Sequence, residues 1–133
     1  MKKIIIFGST GSIGSSLIEI VKNDIKNIKI ELISANKNYK KLIKQAEAFG
    51  VKNLIITDQN SYLKAKIFLK NKEINIYNNF ECLDKIFKNK KVDYTMSAIS
   101  GFQGLKPTLN IIKFTNVIAI ANKESIICGW NLI

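Results

Sequence analysis

Histidine and arginine are both missing from this chain of 133 residues. Without an imidazole, the chain cannot by itself run a serine–histidine or cysteine–histidine hydrolase scheme, and it has no histidine metal ligand. Without a guanidinium, it lacks the planar fork that reads guanine edges and phosphates bidentately. That absence argues against the nucleic-acid partner which a formal net charge of +11 invites. All 21 basic residues are lysines, scattered in tracts of no more than two. They read as a solvated surface with a general attraction for anionic substrates. Cysteine occurs only twice, at Cys82 and Cys128, in no CxxC pair or metal-type cluster. Both are expected to be buried or reduced thiols. Long apolar runs are missing too: Ile4 to Phe7 and Val117 to Ala121 are far too short to span a bilayer. The two lysines before the first run lead within a few residues into a glycine-rich turn, which is not a signal peptide. A cytoplasmic protein with no membrane partner is expected.

What is present is an ordinary globular balance, 47% apolar and 23% charged. The length suits one compact domain with a core. Strand and helix patterns alternate. Lys3 to Phe7 is a buried-strand run, and from Ser12 the spacing turns helical, with Ile13, Leu17, Ile20 and Val21 on one face. A strand at Ile28 to Ile33 precedes a helix from Tyr39 to Phe49, with Leu42, Ile43, Ala46 and Phe49 inward and Gly50 as its stop. Asn53 to Thr57 is a strand, and a helix from Ser61 to Lys70 has Asp58 and Asn60 as cap candidates. Then come a strand at Ile74 to Tyr77, a helix at Glu81 to Lys88 and a strand at Tyr94 to Ala98. A helix from Thr108 to Phe114 opens on Pro107, and Val117 to Ile120 is the last strand. This alternation predicts βαβ units: a Rossmann-like, doubly wound, mostly parallel sheet with helices on both faces, one α/β domain over residues 1–133. A further helix begins after Glu124 and stops unfinished at Ile133, so the chain reads as truncated.

Gly8-Ser9-Thr10-Gly11-Ser12-Ile13-Gly14 falls between the first strand and the first helix, where a dinucleotide fold places its phosphate turn. Glycines let backbone approach a pyrophosphate, and the positive end of the helix faces it. The Thr10 and Ser12 hydroxyls add donors. Ser15 follows Gly14 where a Walker A loop needs lysine. The second strand opens into Ser34-Ala35-Asn36-Lys37-Asn38, where an NAD-selective site would carry a carboxylate. Lys37 and two amides suit a 2′-phosphate instead, so NADP(H) is preferred; Glu31 lies too early for the ribose role. Two later segments end strands on the same edge: Ala98 to Thr108 (AISGFQGLKPT) and Ala121 to Ser125 (ANKES). The second is a binding loop or simply a capped helix start.

Together, GSTGSIG, the Lys37–Asn38 pair, AISGFQGLKPTL and ANKES followed by Cys-Gly resemble the 1-deoxy-D-xylulose 5-phosphate reductoisomerases, specifically their N-terminal NADPH-binding domain. The resemblance runs from Met1 to Ile133. It implies that Thr10, Gly11, Ser12 and Ile13 contact the cofactor's phosphates, and that Asn36, Lys37 and Asn38 contact its 2′-phosphate end. Asn122 and Glu124 would meet the rest of NADPH, and Lys123 the sugar phosphate. Asn36 departs from the family, where glycine is common; asparagine tolerates the left-handed backbone expected there. The implied reaction isomerises 1-deoxy-D-xylulose 5-phosphate and reduces it with NADPH to 2-C-methyl-D-erythritol 4-phosphate. It uses Mg²⁺ or Mn²⁺ held by carboxylates beyond this chain, with neither metal ligands nor catalytic residues inside it. The isolated chain is therefore expected to be inactive, and a homodimer of the full-length form is compatible with it. The rivals are another NADP-dependent oxidoreductase and a non-enzymatic NADPH-binding module. A semialdehyde dehydrogenase would need a nucleophilic cysteine with an acid–base partner, and an epimerase-like enzyme a Tyr-x-x-x-Lys pair.

Overall fold

The computed structural model describes residues 1–133. Six strands make one sheet, β1 (Lys2–Phe7), β2 (Ile28–Ala35), β3 (Asn53–Ile56), β4 (Asn75–Tyr77), β5 (Val92–Ser97) and β6 (Thr115–Ile120), in the order β4-β3-β2-β1-β5-β6. Every pairing is parallel. The order reverses between β1 and β5, which opens a crevice at their carboxyl ends. The helices are α1 (Ser12–Lys22), α2 (Tyr39–Phe49), α3 (Gln59–Phe68), α4 (Cys82–Ile86), α5 (Leu105–Ile111) and α6 (Lys123–Gly129), with short 3₁₀ turns flanking α5 and following α6. The expected α/β class is the one found.

Two cores flank the sheet. On one face, Ile4 and Ile6 of β1 pack with Ile18 and Val21 of α1, Leu42, Ile43 and Ala46 of α2, and Ala65 of α3. On the other, Ile5 and Phe7 pack with Leu83 of α4, Phe87, Ile111 of α5 and Phe114. A central strand covered on both sides must be apolar at every position, and Ile4 to Phe7 are all buried. The β1–β2 register slips by one: Ile4 pairs with Ile30, but Ile5 with Leu32. Glu31 is the unpaired extra residue, a bulge that puts Ile30 and Ile33 on the same face although they are three apart.

Local chemistry sets the ends. Gly50 closes α2 in the left-handed region (φ 64°), its N–H donating to the Ala46 carbonyl. Asp58 caps α3 through the Ser61 N–H at 3.0 Å and also accepts from the Ser61 hydroxyl at 2.9 Å; these bonds hold its carboxyl below the ordinary range. Asn60, the other cap candidate, lies inside the helix. Helix α5 starts at Leu105, earlier than expected, so Pro107 is its third residue. It still sits in the first turn, where a missing N–H forfeits no helical bond. The predicted inward face of α1 is corrected. Gly14, Ile18 and Val21 are buried, while Ile13 and Ile20 are 47% and 63% exposed. Close packing of Gly14 on the turn before it fixes the helix's rotation and turns Ile13 and Ile20 outward. Cys82 is buried and Cys128 exposed, and both are free thiols. No helix is long and apolar enough to cross a membrane.

Candidate functional site

The first turn after β1 is built from backbone. Gly8, at φ 76°, turns the chain so sharply that an added Cβ would lie 2.7 Å from the Ala98 carbonyl oxygen. Its N–H donates to Ser34 Oγ at 3.0 Å, and the Ser9 N–H donates to the Ser34 carbonyl at 2.9 Å, tying the turn to the end of β2. A Cβ on Gly14 would run into the Gly8 carbonyl and stand 2.6 Å from Ser9 Cα, so this glycine lets α1 seat on the turn. Gly11 is different. It is the N-cap of α1, in an extended conformation open to any residue, and its nearest obstacle lies at an ordinary 3.5 Å. No side chain caps α1, and the N–H groups of Ser12, Ile13 and Gly14 have no backbone partner. Free donors and a helix dipole at one point make an anion seat.

Above this turn lies a cleft of about 680 Å³ over the β1/β5 switch point. Its walls are Gly8, Thr10 and Gly11; Ser34 to Asn36 with Thr57; Asn78 to Glu81; and Ala98 to Ser100 with Gln103, Lys106, Pro107 and Asn110. Of the residues singled out in the sequence, Thr10, Gly11 and Asn36 line it. Ser12 and Ile13 are exposed on the first turn of α1 beside it. Asn36 accepts a hydrogen bond from Thr57 Oγ1 at 2.9 Å, and Lys37 is exposed next to it. Asn38 is the N-cap of α2, its Oδ1 accepting from the Lys41 N–H at 3.2 Å. The left-handed backbone expected at Asn36 is not found: no residue other than glycine has positive φ. The loop turns without it, because the Asp58 N–H donates to the Asn36 carbonyl at 3.1 Å and secures the loop to the end of β3.

The ANKES segment does not line the cleft; it adjoins the wall at residues 99–101. Asn122 is buried and caps α6, accepting from the N–H groups of Glu124 at 2.9 Å and Ser125 at 3.2 Å. Its amide donates to the carbonyl oxygens of Ile99 and Gly101. The side chain is thus occupied within the fold, and any contact with a ligand falls to its main chain. Lys123 is exposed and Glu124 half-buried at the start of α6. No group of three or more His, Cys, Asp and Glu side chains is close enough to hold a metal ion.

Several wall residues have no role assigned from the sequence, although Lys106 falls within the Ala98–Thr108 segment expected at the ligand edge. Lys106 is the only cation lining the cleft and Glu81 the only anion, and Asn78 to Phe80 form one side. Their signal was positional, since Asn78 follows directly on β4 at the carboxyl edge of the sheet. Asp58 was read only as a cap, yet it lies near enough to Lys37 to feel its charge. Tyr62 and Lys66 do have the Tyr-x-x-x-Lys spacing. They lie on α3 with the ammonium 5.9 Å over the ring, and neither lines the cleft.

A parallel sheet with this switch point, a glycine turn meeting a free helix N-terminus and a cleft above them define a Rossmann-like nucleotide-binding domain. The model of the 1-deoxy-D-xylulose 5-phosphate reductoisomerase family matches residues 4–129, and the chain belongs to that family. The reductoisomerase of Pelagibacter ubique is 69% identical over the whole chain, and that of Clostridium tetani 36% identical. The chain spans only about a third of their length, 34% and 35% respectively. Among solved structures, the Zymomonas mobilis enzyme in complex with NADPH superposes with a TM-score of 0.87 at 30% identity. The match covers 98% of this chain and 34% of that one. A reductoisomerase in complex with NADPH, fosmidomycin and magnesium superposes at 0.85 with 26% identity, covering 96% and 31%.

Proposed function

We propose that residues 1–133 form the NADPH-binding domain of an enzyme that isomerises 1-deoxy-D-xylulose 5-phosphate and reduces it to 2-C-methyl-D-erythritol 4-phosphate. The observation that carries this reading is the anion seat: unpartnered N–H groups of Ser12, Ile13 and Gly14 at the mouth of a cleft, with no close obstacle at Gly11. A dinucleotide's phosphates fit it. Thr10, Gly11, Ser12 and Ile13 would hold them, and Asn36, Lys37 and Asn38 would hold the 2′-phosphate end, where β2 ends without a carboxylate and the nearby Asp58 is engaged in capping α3. When bound, NADPH supplies the hydride. The backbone of Asn122 and the Glu124 side chain are assigned to the nicotinamide half, and Lys123 to the sugar phosphate. All three follow β6, on the edge where ligands of open parallel sheets bind. The magnesium of the related complexes finds no ligand set among these residues, so no step through a metal is assigned to them. Surface lysines without arginine favour small anions over nucleic acid, and we place the protein in the cytoplasm.

Calorimetry on the chain tests the binding half: NADPH should bind, and NADH markedly more weakly. Turnover tests the rest. A full-length protein should form methylerythritol phosphate with Mg²⁺ or Mn²⁺, and the 133-residue chain should not. Equal affinity for the two nucleotides would overturn the cofactor assignment. Metal-dependent turnover by the short chain would overturn the division of labour.

A further inference from the structure

The phosphate turn is gripped from its far side by α2, through residues outside the cleft lining. Ser9, wholly buried, donates from Oγ to Gln45 Oε1 at 2.8 Å, and Gln45 Nε2 donates back to the Ser9 carbonyl oxygen at 3.0 Å. Gln45 is itself 8% exposed. One helical turn earlier on the same face of α2, Lys41 Nζ donates to the Thr10 carbonyl oxygen at 3.1 Å and to Ser15 Oγ at 2.7 Å. Two consecutive carbonyls of the turn are therefore drawn toward α2. In a trans peptide the N–H points opposite to the C=O of the same plane. Holding the Ser9 carbonyl against Gln45 thus directs the Thr10 N–H away from α2, toward the cleft that Thr10 lines, and that N–H has no backbone partner. Were this peptide to flip, a carbonyl would face the ligand's phosphate where a donor is needed. The same helix is capped by Asn38, so one rigid element joins the turn to the loop at residues 36–38.

We propose that Gln45, with Lys41, is a positioning residue of the cofactor site, clamping the Ser9–Thr10 peptide with its N–H toward the bound phosphates. The proposal rests on the NADPH reading above. It makes the geometry of the turn a property of α2 as well as of its own glycines. A residue that only supports the fold would lower the unfolding temperature without changing the affinity of the folded molecules. A positioning residue changes both.

The test is titration of NADPH into the chain and three variants, each well below its own unfolding transition and with circular dichroism confirming the fold. Gln45→Met keeps length and burial but leaves the Ser9 carbonyl only the longer bond from the Ser15 hydroxyl, at 3.4 Å; it should weaken NADPH about tenfold, the scale of one or two lost hydrogen bonds. Lys41→Met, at an exposed position that cannot unfold the core, should weaken it several-fold. Ala65→Gly, buried in the same core on α3 but outside the clamp, lowers stability and should leave NADPH affinity within about twofold of wild type. Wild-type affinity in Gln45→Met overturns the proposal and leaves the NADPH reading standing. If that variant does not fold, wild-type affinity in Lys41→Met overturns it equally. A loss in Ala65→Gly matching that in Gln45→Met also overturns it, because the effect would then follow packing and not the clamp. A wild-type chain that binds no NADPH sinks both readings.

Discussion

The side-chain amide of Asn122 donates to the carbonyl oxygen of Ile99, so the loop after β6 and the loop after β5 are joined by a single buried residue. The same amide reaches Gly101, and the space around it is tight: a Cβ on Gly104 would lie 2.6 Å from Asn122 Nδ2. The loop that carries the cleft wall at Ala98 to Ser100 is therefore held by a residue that the family resemblance implied as a ligand contact.

Asn122→Asp isolates that role. Aspartate caps a helix as well as asparagine does, so the bonds from the N–H groups of Glu124 and Ser125 survive. It cannot donate to two carbonyls, and its charge repels them. The variant should lose about 1–3 kcal/mol in urea unfolding, the range for buried groups left without partners. A variant as stable as wild type would show that capping alone matters at this position.

Two glycines of the turn, Gly14 and Gly11, should respond differently. Gly14→Ala forces a Cβ into the backbone of Gly8 and Ser9 and should cost at least about 1–3 kcal/mol, as overpacking does. Gly11→Val has room, and its backbone is already in a region that L-residues adopt, so the fold should persist with stability within about 1 kcal/mol of wild type. On the proposed reading, its branched side chain would stand where a phosphate approaches. Thermal melts should therefore report Gly14, and NADPH titration Gly11.

Lys37→Ala probes the 2′-phosphate. On the proposed reading, the exposed ammonium would meet the 2′-phosphate dianion of NADPH and nothing comparable in NADH. Its loss should cost NADPH about 1.5–3 kcal/mol, the scale of a hydrogen bond to a charged group, and NADH almost nothing. Calorimetry with both nucleotides measures this, and a parallel loss for the two would place Lys37 elsewhere on the cofactor.

The thiols give a pH signature. Burial pushes Cys82 up to about 11 from an ordinary 9.0 and also raises Tyr77 and Tyr94. The folded chain thus holds protons that the unfolded chain has already released. The stability these groups contribute is full below about pH 9 and is lost as pH rises through their folded values. Urea midpoints should fall from about pH 8 to about pH 10, and by less in Cys82→Ala. At the lower pH, Ellman's reagent should label Cys128 quickly in the native chain and Cys82 only after unfolding, since Cys128 is exposed.

The alternation of strands with helices and the setting of GSTGSIG made the fold readable, because each depends on residues close together in the chain. Helix α2 and its stop at Gly50 came out as expected for the same reason. What could not be read depends on contacts between distant segments. Ile13, Leu17, Ile20 and Val21 satisfy a helical stripe, but only the seating of Gly14 on Gly8 decides which flank of α1 is buried. Asn78 to Glu81 reach the cleft because β4 ends at the same edge of the sheet, a matter of position in the fold that no motif announces. Gln45 is 36 residues from its partner Ser9 and looks like any polar helix residue until both are seen buried. Asn122 matched a helix cap and a ligand contact equally well, and only the carbonyls of Ile99 and Gly101 separate the two.

The place of β1 in the sheet also bears on how the chain acquires its shape. Ile4 pairs with Ile30 on one side and with Tyr94 on the other, partners about three and a half times farther apart in sequence on the second side. Closing the longer loop costs about 1 kcal/mol more chain entropy. On a ribosome, β1 to β4 with α1 to α3 emerge first and can bury their shared core while β5 is still being made. The phosphate turn can thus be complete, with its clasp from α2, before the opposite wall exists. If the elements fold in this order, the nascent chain would for a time hold an anion seat without a cleft, open to inorganic phosphate but lacking the far wall that a dinucleotide needs.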